Sequence, residues 1–346
     1  MKIFNRFLPF GVILILFFAI PHIAYNQSAG STKVSAFSYL TKREGNIISL
    51  SFDKDALIQN KKTNQYMPAT ITSADGLDMS AEIRARGKYR RKFCSIPPVK
   101  IKFPKKMLRQ MNLDTLNEVR LALPCAESEE GQGLLLREYI AYRMYELVNP
   151  TMSVRARLVK INLKDIGHPE AQVSQTYGML MEHEEELSAR LGGHIDELYN
   201  TPTDSLNAQY AADQAMFEYL IGNTDWEVLS SRNVHLFRSF AGGKLVPIPY
   251  DFDFSGFVNA SYAVPPSNLA LTSVRDRVLI ADSILMPDIK ESVLRLKAKK
   301  DDLLALCKNP LLDESSQEWL TIYTEDFFNA LDEQKILPVR LKNVER

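Results

Sequence analysis

The hydrophobic period changes along the chain, and that change most constrains its fold. From residue 34 to about 103, apolar and polar residues alternate, as strands with one buried face require. "NIISLSF" (46–52) alternates, and so does "PATITSADGLDMSAEIRARG" (68–87) around its turn residues. In "PPVKIKF" (97–103), Val99, Ile101 and Phe103 share one face, and Lys100 and Lys102 the other. The period then switches. "GLLLREYIAYRMYELVNP" (133–150) carries Leu136, Ile140, Met144 and Leu147 at helical spacing, with Glu138 off that stripe, and Asn149-Pro150 stops it. "VRARLVKINLKD" (154–165) and "QTYGMLMEHEEE" (175–186) read as two more strands. Beyond residue 186 the pattern is mainly helical: "NAQYAADQAMFEYLIGN" (207–223) with a Gly-Asn stop, then amphipathic runs at 274–285, 287–308 and 316–337. The pattern predicts an α+β chain, with a β-rich N-lobe holding one long helix at 34–185 and a mostly helical C-lobe at 186–346.

The N-terminus predicts export. Lys2 and Arg6 precede the apolar run 7–20, which Pro21 ends. A membrane-spanning helix needs roughly 20 apolar residues, so the run suits a signal peptide over 1–26, with a linker at 27–33. Cleavage before Gln27 and cleavage after Gly30 both fit; the alternative is an uncleaved anchor. Of three cysteines, Cys94 and Cys125 are the favoured pair if any two bridge, against three buried thiols. The balance of 42 basic and 42 acidic residues gives no case for nucleic-acid binding. The one basic cluster is Arg84, Arg86, Lys88, Arg90, Arg91 and Lys92.

Two segments carry the chemistry: "IGNTDWEVLSSRNVHLF" (221–237) and "PIPYDFDFSG" (247–256). As extended chain, "YDFDF" puts Asp251 and Asp253 on one face and Tyr250, Phe252 and Phe254 on the other. Two carboxylates on one face repel unless a positive group lies between them, and a divalent cation is the usual answer. Asp225, then Asn233, then Asp251 follow the order of a phosphoryl-transfer site, in which one Asp orients the attacking hydroxyl while an Asn and a later Asp hold Mg²⁺ on nucleotide phosphates. The plain alternative is turn and cap chemistry, for which Asp and Asn are common.

These residues carry a resemblance. "IGNTDW…RNVHLF" with "VPIPYDFDFSG" is similar to the signature of the spore-coat CotH kinase-like family. "IRARGKYRR…PPVKIKF", "LLLREYIAYRMYEL" and "YGMLMEHEEEL" resemble its hairpin, long helix and interlobe segment, so the similarity runs over about residues 80–262. The resemblance implies a two-lobed protein-kinase-like fold, with ATP and Mg²⁺ between the lobes, and phosphorylation of Ser or Thr in secreted or envelope proteins. By position it implies Asp225 as the catalytic Asp, and Asn233 and Asp251 as metal ligands with Asp253 in support. Gly87 would cover the phosphates, and Glu182, with Met181 and His183, would lie near the adenine. Where many members have a lysine pair, this chain has Ile96-Pro97-Pro98. The nucleotide lysine is then Lys100 or Lys102, either one paired with Glu138, and a solvated strand face is the alternative for both. A kinase-fold protein without catalysis, serving as an envelope binding module, is the second functional expectation.

Overall fold

The computed structural model describes residues 33–43, 45–281 and 285–333, and the backbone of 338–339. The expected signal peptide and nearly all of the linker lie outside the described residues. The described residues cluster as one compact unit.

In chain order the elements begin with α1 (Ala36–Leu40), β1 (Ile47–Phe52), α2 (Lys54–Gln59), β2 (Met67–Thr72), β3 (Asp78–Ala85), α3 (Arg90–Phe93), β4 (Val99–Lys102), α4 (Lys105–Gln110) and β5 (Glu118–Ala122). Next come α5 (Glu129–Val148), β6 (Ala156–Asp165), β7 (Ser174–Glu182), α6 (Glu184–Leu191), β8 (Gly193–Asp196) and α7 (Ala208–Ile221). The chain continues through β9 (Val234–Ser239), β10 (Val246–Pro249), β11 (Leu279–Ile280), α8 (Met286–Lys297), α9 (Lys300–Cys307), α10 (Glu314–Asp332) and β12 (Pro338–Val339).

Strands β1 to β7 form a closed barrel in the order β1-β2-β3-β4-β5-β7-β6. This overturns the expected two-lobed protein-kinase-like fold, because a closed barrel is not the bilobed kinase architecture. Two features cause the closure. β1 pairs in parallel with β6, from Ile47 opposite Lys160 to Phe52 opposite Asp165, which leaves the sheet no free edge. β5 fills the place between β4 and β7. Its sequence "EVRLA" carries a single inward alternation, too short to stand out as a strand. The expected helix over 274–285 is also absent: its described part holds only the two-residue strand β11. The expected single helix over 287–308 is two helices, α8 and α9.

Alternation along the strands builds two apolar clusters. Ile48, Leu50, Phe52, Ile71, Ile83, Val99, Ile101, Val119, Leu121, Val159, Ile161 and Leu180 belong to the barrel cluster. On β6 and β7 the opposite face is apolar as well: Ala156, Leu158, Met179 and Met181 belong to the second cluster, with residues of α5, α7, α10, β9 and β10. Helix α5 begins where Ser128 accepts the Gly131 N–H and has Glu129 and Glu130 in its first turn, a favourable charge at a helix start. It is buried on most of its circumference. Cys94 and Cys125 form a disulfide with Cα atoms 4.4 Å apart, while Cys307 is a buried thiol. Among the described residues, no helix is long and apolar enough to cross a membrane.

Candidate functional site

The two Asp/Asn segments meet because they flank one hairpin. β9 and β10 pair antiparallel with Val234 opposite Pro249, so Asn233 and Tyr250 lie side by side and the Tyr250 N–H donates to the Asn233 carbonyl at 3.0 Å. Helix α7 ends at Gly222 in the left-handed region (φ 61°), and the Gly256 N–H donates to the Gly222 carbonyl at 3.1 Å. This brings the chain after Asp251 back onto the chain before Asp225. The Asp251 N–H donates to the Tyr142 hydroxyl oxygen on α5 at 2.9 Å.

The result is an outer acidic group. Asn233 Nδ2 donates to the Asp225 carbonyl at 2.6 Å and to Asp225 Oδ2 at 3.1 Å. Asn233 and Asp251 are non-glycine residues with left-handed backbone, φ 55° and 66°, a conformation costly enough to need surrounding support. The Asp225 and Asp251 side chains are each 38% exposed. Burial raises the Asp225 pKa, and the Asp251 charge adds to the rise, against the pull of Arg232.

Behind Asp251 lies an inner group that sequence reasoning did not assemble. Arg90, on α3, donates from Nη1 to Glu138 Oε2 at 2.8 Å and from Nη2 to Glu138 Oε1 at 3.0 Å. The same guanidinium reaches Asp251 Oδ1 at 3.1 Å and Asp253 Oδ2 at 3.2 Å. Tyr262 donates to Asp253 Oδ2 at 3.0 Å, and Tyr89, Tyr262 and Phe254 form an aromatic cluster around this point. Burial pushes the Asp253 carboxyl up to about 7, and it raises Glu138 also, even with Arg90 in contact. Burial on its own would lower the Arg90 pKa; the charges of Asp253, Glu138 and Asp251 reverse that and hold it well above the ordinary value. Asp251 and Asp253 do reach the same partner, but not as extended chain. The left-handed turn at Asp251 sends Phe252 into the core against Tyr142 and Phe217, Tyr250 onto His235 at 4.1 Å, and Phe254 toward Tyr89.

The barrel wall supplies cations. Register places Arg84 opposite Lys100 and Lys100 opposite Arg120, so three basic residues cross β3, β4 and β5 on the outer face. Arg120 is 5% exposed, pairs with Glu184, and has its pKa lowered to about 10 by burial and then by the Arg86 charge. Arg86, two residues beyond Arg84, makes no ion pair among the described residues, yet its charge acts on Arg120, Tyr142, Tyr250, Glu138 and His183. Of the acidic residues described above, its charge acts on Glu138. The signal in sequence was the β3 alternation carried on past its end: Arg84 and Arg86 share a face.

Other expected residues lie elsewhere. Lys100 Nζ binds Glu118 Oε2 at 2.9 Å and lies 2.9 Å from His183 Nε2, while Lys102 Nζ lies over the Tyr66 ring at 5.4 Å. Neither pairs with Glu138, whose oxygens both bind Arg90. Glu182 stands opposite Val119, on the barrel-interior face, with a fully buried side chain held by Arg155 and Arg190. Met181 is buried in the second cluster. Gly87 is exposed with φ 84°, a turn value that suits glycine.

Arg90 already occupies the inner carboxylates, so the residues that could hold a divalent cation are Asn233 and Asp251 of the outer group. One oxygen each of Glu138, Asp251 and Asp253 lie within 4.8 Å of one another, but Arg90 already bonds all three. At the outer group, Asn233 Oδ1 and one Asp251 oxygen carry no protein hydrogen bond among the described residues. Compared with known proteins, the chain matches no family model and no curated protein.

Proposed function

We propose that the chain is an exported phosphotransferase, which moves the terminal phosphoryl group of Mg²⁺-bound ATP to a Ser or Thr hydroxyl of a secreted or envelope protein. The observation that carries this reading is the convergence of Asp225, Asn233 and Asp251 at one partly exposed point, with the Arg120 charge felt at Asp251. The motif resemblance over residues 80–262 supports it. The reading does not rest on a kinase fold. The neutral charge balance argues against a nucleic-acid partner. The disulfide supports an oxidising compartment.

In this reading Asp251 and Asn233 would hold the metal, which would supply charge neutralisation at the phosphates. Asp225 accepts the hydroxyl proton as the substrate oxygen bonds to phosphorus, and the bond from that phosphorus to the bridging oxygen breaks to release ADP. Its raised pKa makes Asp225 a stronger base than an ordinary carboxylate. Arg86 would meet the phosphate charge, and buried Arg120 would add its field from behind.

One observation favours a second reading, a non-catalytic binding module. Arg90 lies among Glu138, Asp251 and Asp253 and neutralises them as a metal ion would. Calorimetry of ATP, with and without Mg²⁺, separates the two. The first reading expects saturable binding that requires Mg²⁺, at least about tenfold weaker in Asp251→Ala and in Arg86→Ala. Absence of ATP binding by the folded wild-type chain removes the phosphotransferase.

A further inference from the structure

The turn into α3 and α3 itself carry basic charge that the fold does not use. Arg84 lies over the Tyr66 ring, and Arg90 is committed to buried carboxylates. Lys88 and Lys92 are exposed and Arg91 is half-buried, and the three side chains make no hydrogen bond or ion pair among the described residues. Lys61 Nζ donates to the Lys92 carbonyl at 3.3 Å, which brings a fourth cation to the same place. The chain as a whole is balanced at 42 basic and 42 acidic residues, so this excess is one of placement. Lys88 precedes Arg91 and Lys92 by three and four residues, a spacing at which like charges repel. Apolar surface lies beside the charge. Phe93 is 64% exposed and Tyr89 39%. Their rings lie 4.5 Å apart, and Tyr89 continues inward to Phe254 at 5.1 Å and Tyr262 at 5.8 Å. The Cys94–Cys125 disulfide ties this segment to the barrel, so its surface is in place before any partner arrives.

From this we infer that residues 88–93 form a docking surface for an acidic polypeptide segment, whose carboxylates meet Lys88, Arg91, Lys92 and Lys61 while an apolar side chain among them covers Phe93. Charge complementarity selects an anionic partner. A membrane surface and a nucleic acid are anionic too, and the structure disfavours both. Helix α3 has four residues, too few to lay an amphipathic face in a bilayer interface. A nucleic acid repeats its charge at every step and is held by long basic tracts, whereas this chain is neutral overall and the Lys88 charge is felt at a partly exposed carboxylate, Asp225. A polypeptide sets acidic side chains on the cations and a neutral one beside Asp225. Exposed ion pairs are individually weak, so the binding is modest and falls with salt. The inference stands apart from phosphoryl transfer and holds whether or not the chain binds ATP.

The probe is a short fluorescein-labelled peptide of alternating Glu and Ser with one central Phe, mixed with the full chain in the absence of nucleotide and followed by fluorescence anisotropy. The comparisons are the same peptide with Lys in place of Glu, a labelled oligothymidylate, and phosphatidylglycerol vesicles scored by co-sedimentation. The acidic peptide is expected to bind saturably, and severalfold more weakly in high salt. Lys88→Glu combined with Lys92→Glu should weaken it at least about tenfold, and Phe93→Ser severalfold. All three side chains are exposed, so these variants should keep the wild-type melting temperature. If the charge reversal does not, Lys88→Gln with Lys92→Gln takes its place, with a severalfold loss expected. The inference is overturned if the acidic peptide shows no saturable binding, if the basic peptide, the oligothymidylate or the vesicles bind as tightly, or if binding of the acidic peptide is unchanged in the lysine variants.

Discussion

Glu218 shows how one buried carboxyl ties pH to stability. It lies on α7, 1% exposed, and accepts from Asn223 Nδ2 at 2.9 Å. Its other oxygen faces the Gln214 amide without a formed hydrogen bond. Burial raises its pKa well above 4.5. For an acid whose folded pKa is raised, the stabilising contribution is complete below the unfolded value and falls as pH rises toward the folded one. Stability is therefore lost above pH 4.5, by up to about 1.4 kcal/mol per pH unit. Glu218→Gln imitates the protonated side chain, whose donor is met once the Gln214 amide turns its oxygen inward. The substitution is expected to raise the melting temperature at pH 7 and leave it unchanged near pH 4, read by thermal denaturation across that range. Arg90 is the opposite case, a buried charge that others depend on. Arg90→Met leaves Glu138 and Asp253 buried without their cation, at a cost of about 3–5 kcal/mol at neutral pH. The loss should shrink under mild acid, where both carboxyls take up protons instead, and urea denaturation at two pH values tests this.

At the scale of elements, α3 has only four residues and no side-chain cap, too little to hold Arg90 by helix formation alone. The disulfide does that work: Cys94 caps α3 and is joined to Cys125, just beyond β5. With a sequence separation of 31, the chain-entropy model gives about 3–4 kcal/mol of stabilisation. The double substitution of Cys94 and Cys125 by Ala should lower stability by that order, measured by denaturant unfolding. Legibility in the sequence follows the same line between local and distant causes. β1, β2, β3, β4, β6, β7 and α5 were readable because each carries its own period. The meeting of Asp225, Asn233 and Asp251 was half readable, because their order along the chain is local but the left-handed turn at Asp251 is not. Arg90 was visible as one of six basic residues. Its partner was not, since α3 and α5 are brought together by a disulfide and by a core that no local pattern encodes. Lys100 looked equivalent to a nucleotide lysine until the register set Glu118 opposite Lys102, diagonally within reach of the Lys100 ammonium.

For the molecule as a whole, the decisive feature is that β6 and β7 belong to two cores at once. Val159, Ile161 and Leu180 pack inside the barrel, while Leu158, Met179 and Met181 pack against the helical side. Gly178 belongs to this arrangement: a Cβ there would meet Ile161 Cδ1 at 2.2 Å and Leu121 Cδ1 at 2.9 Å, so the barrel interior closes down onto bare backbone. Parallel closure by β1 on β6 was unreadable because it joins residues more than a hundred positions apart, and no local period records such a pairing. If β6 and β7 couple the cores, damage in one must be felt in the other. Ile161→Ala removes apolar volume inside the barrel and should cost about 2–5 kcal/mol. Both tryptophans pack against the other cluster, so their fluorescence reports only the helical side. One unfolding unit requires the fluorescence transition and the far-ultraviolet circular dichroism transition of Ile161→Ala to shift together to lower denaturant. A fluorescence transition that stays at its wild-type midpoint while the dichroism transition moves would show instead that barrel and helices unfold independently.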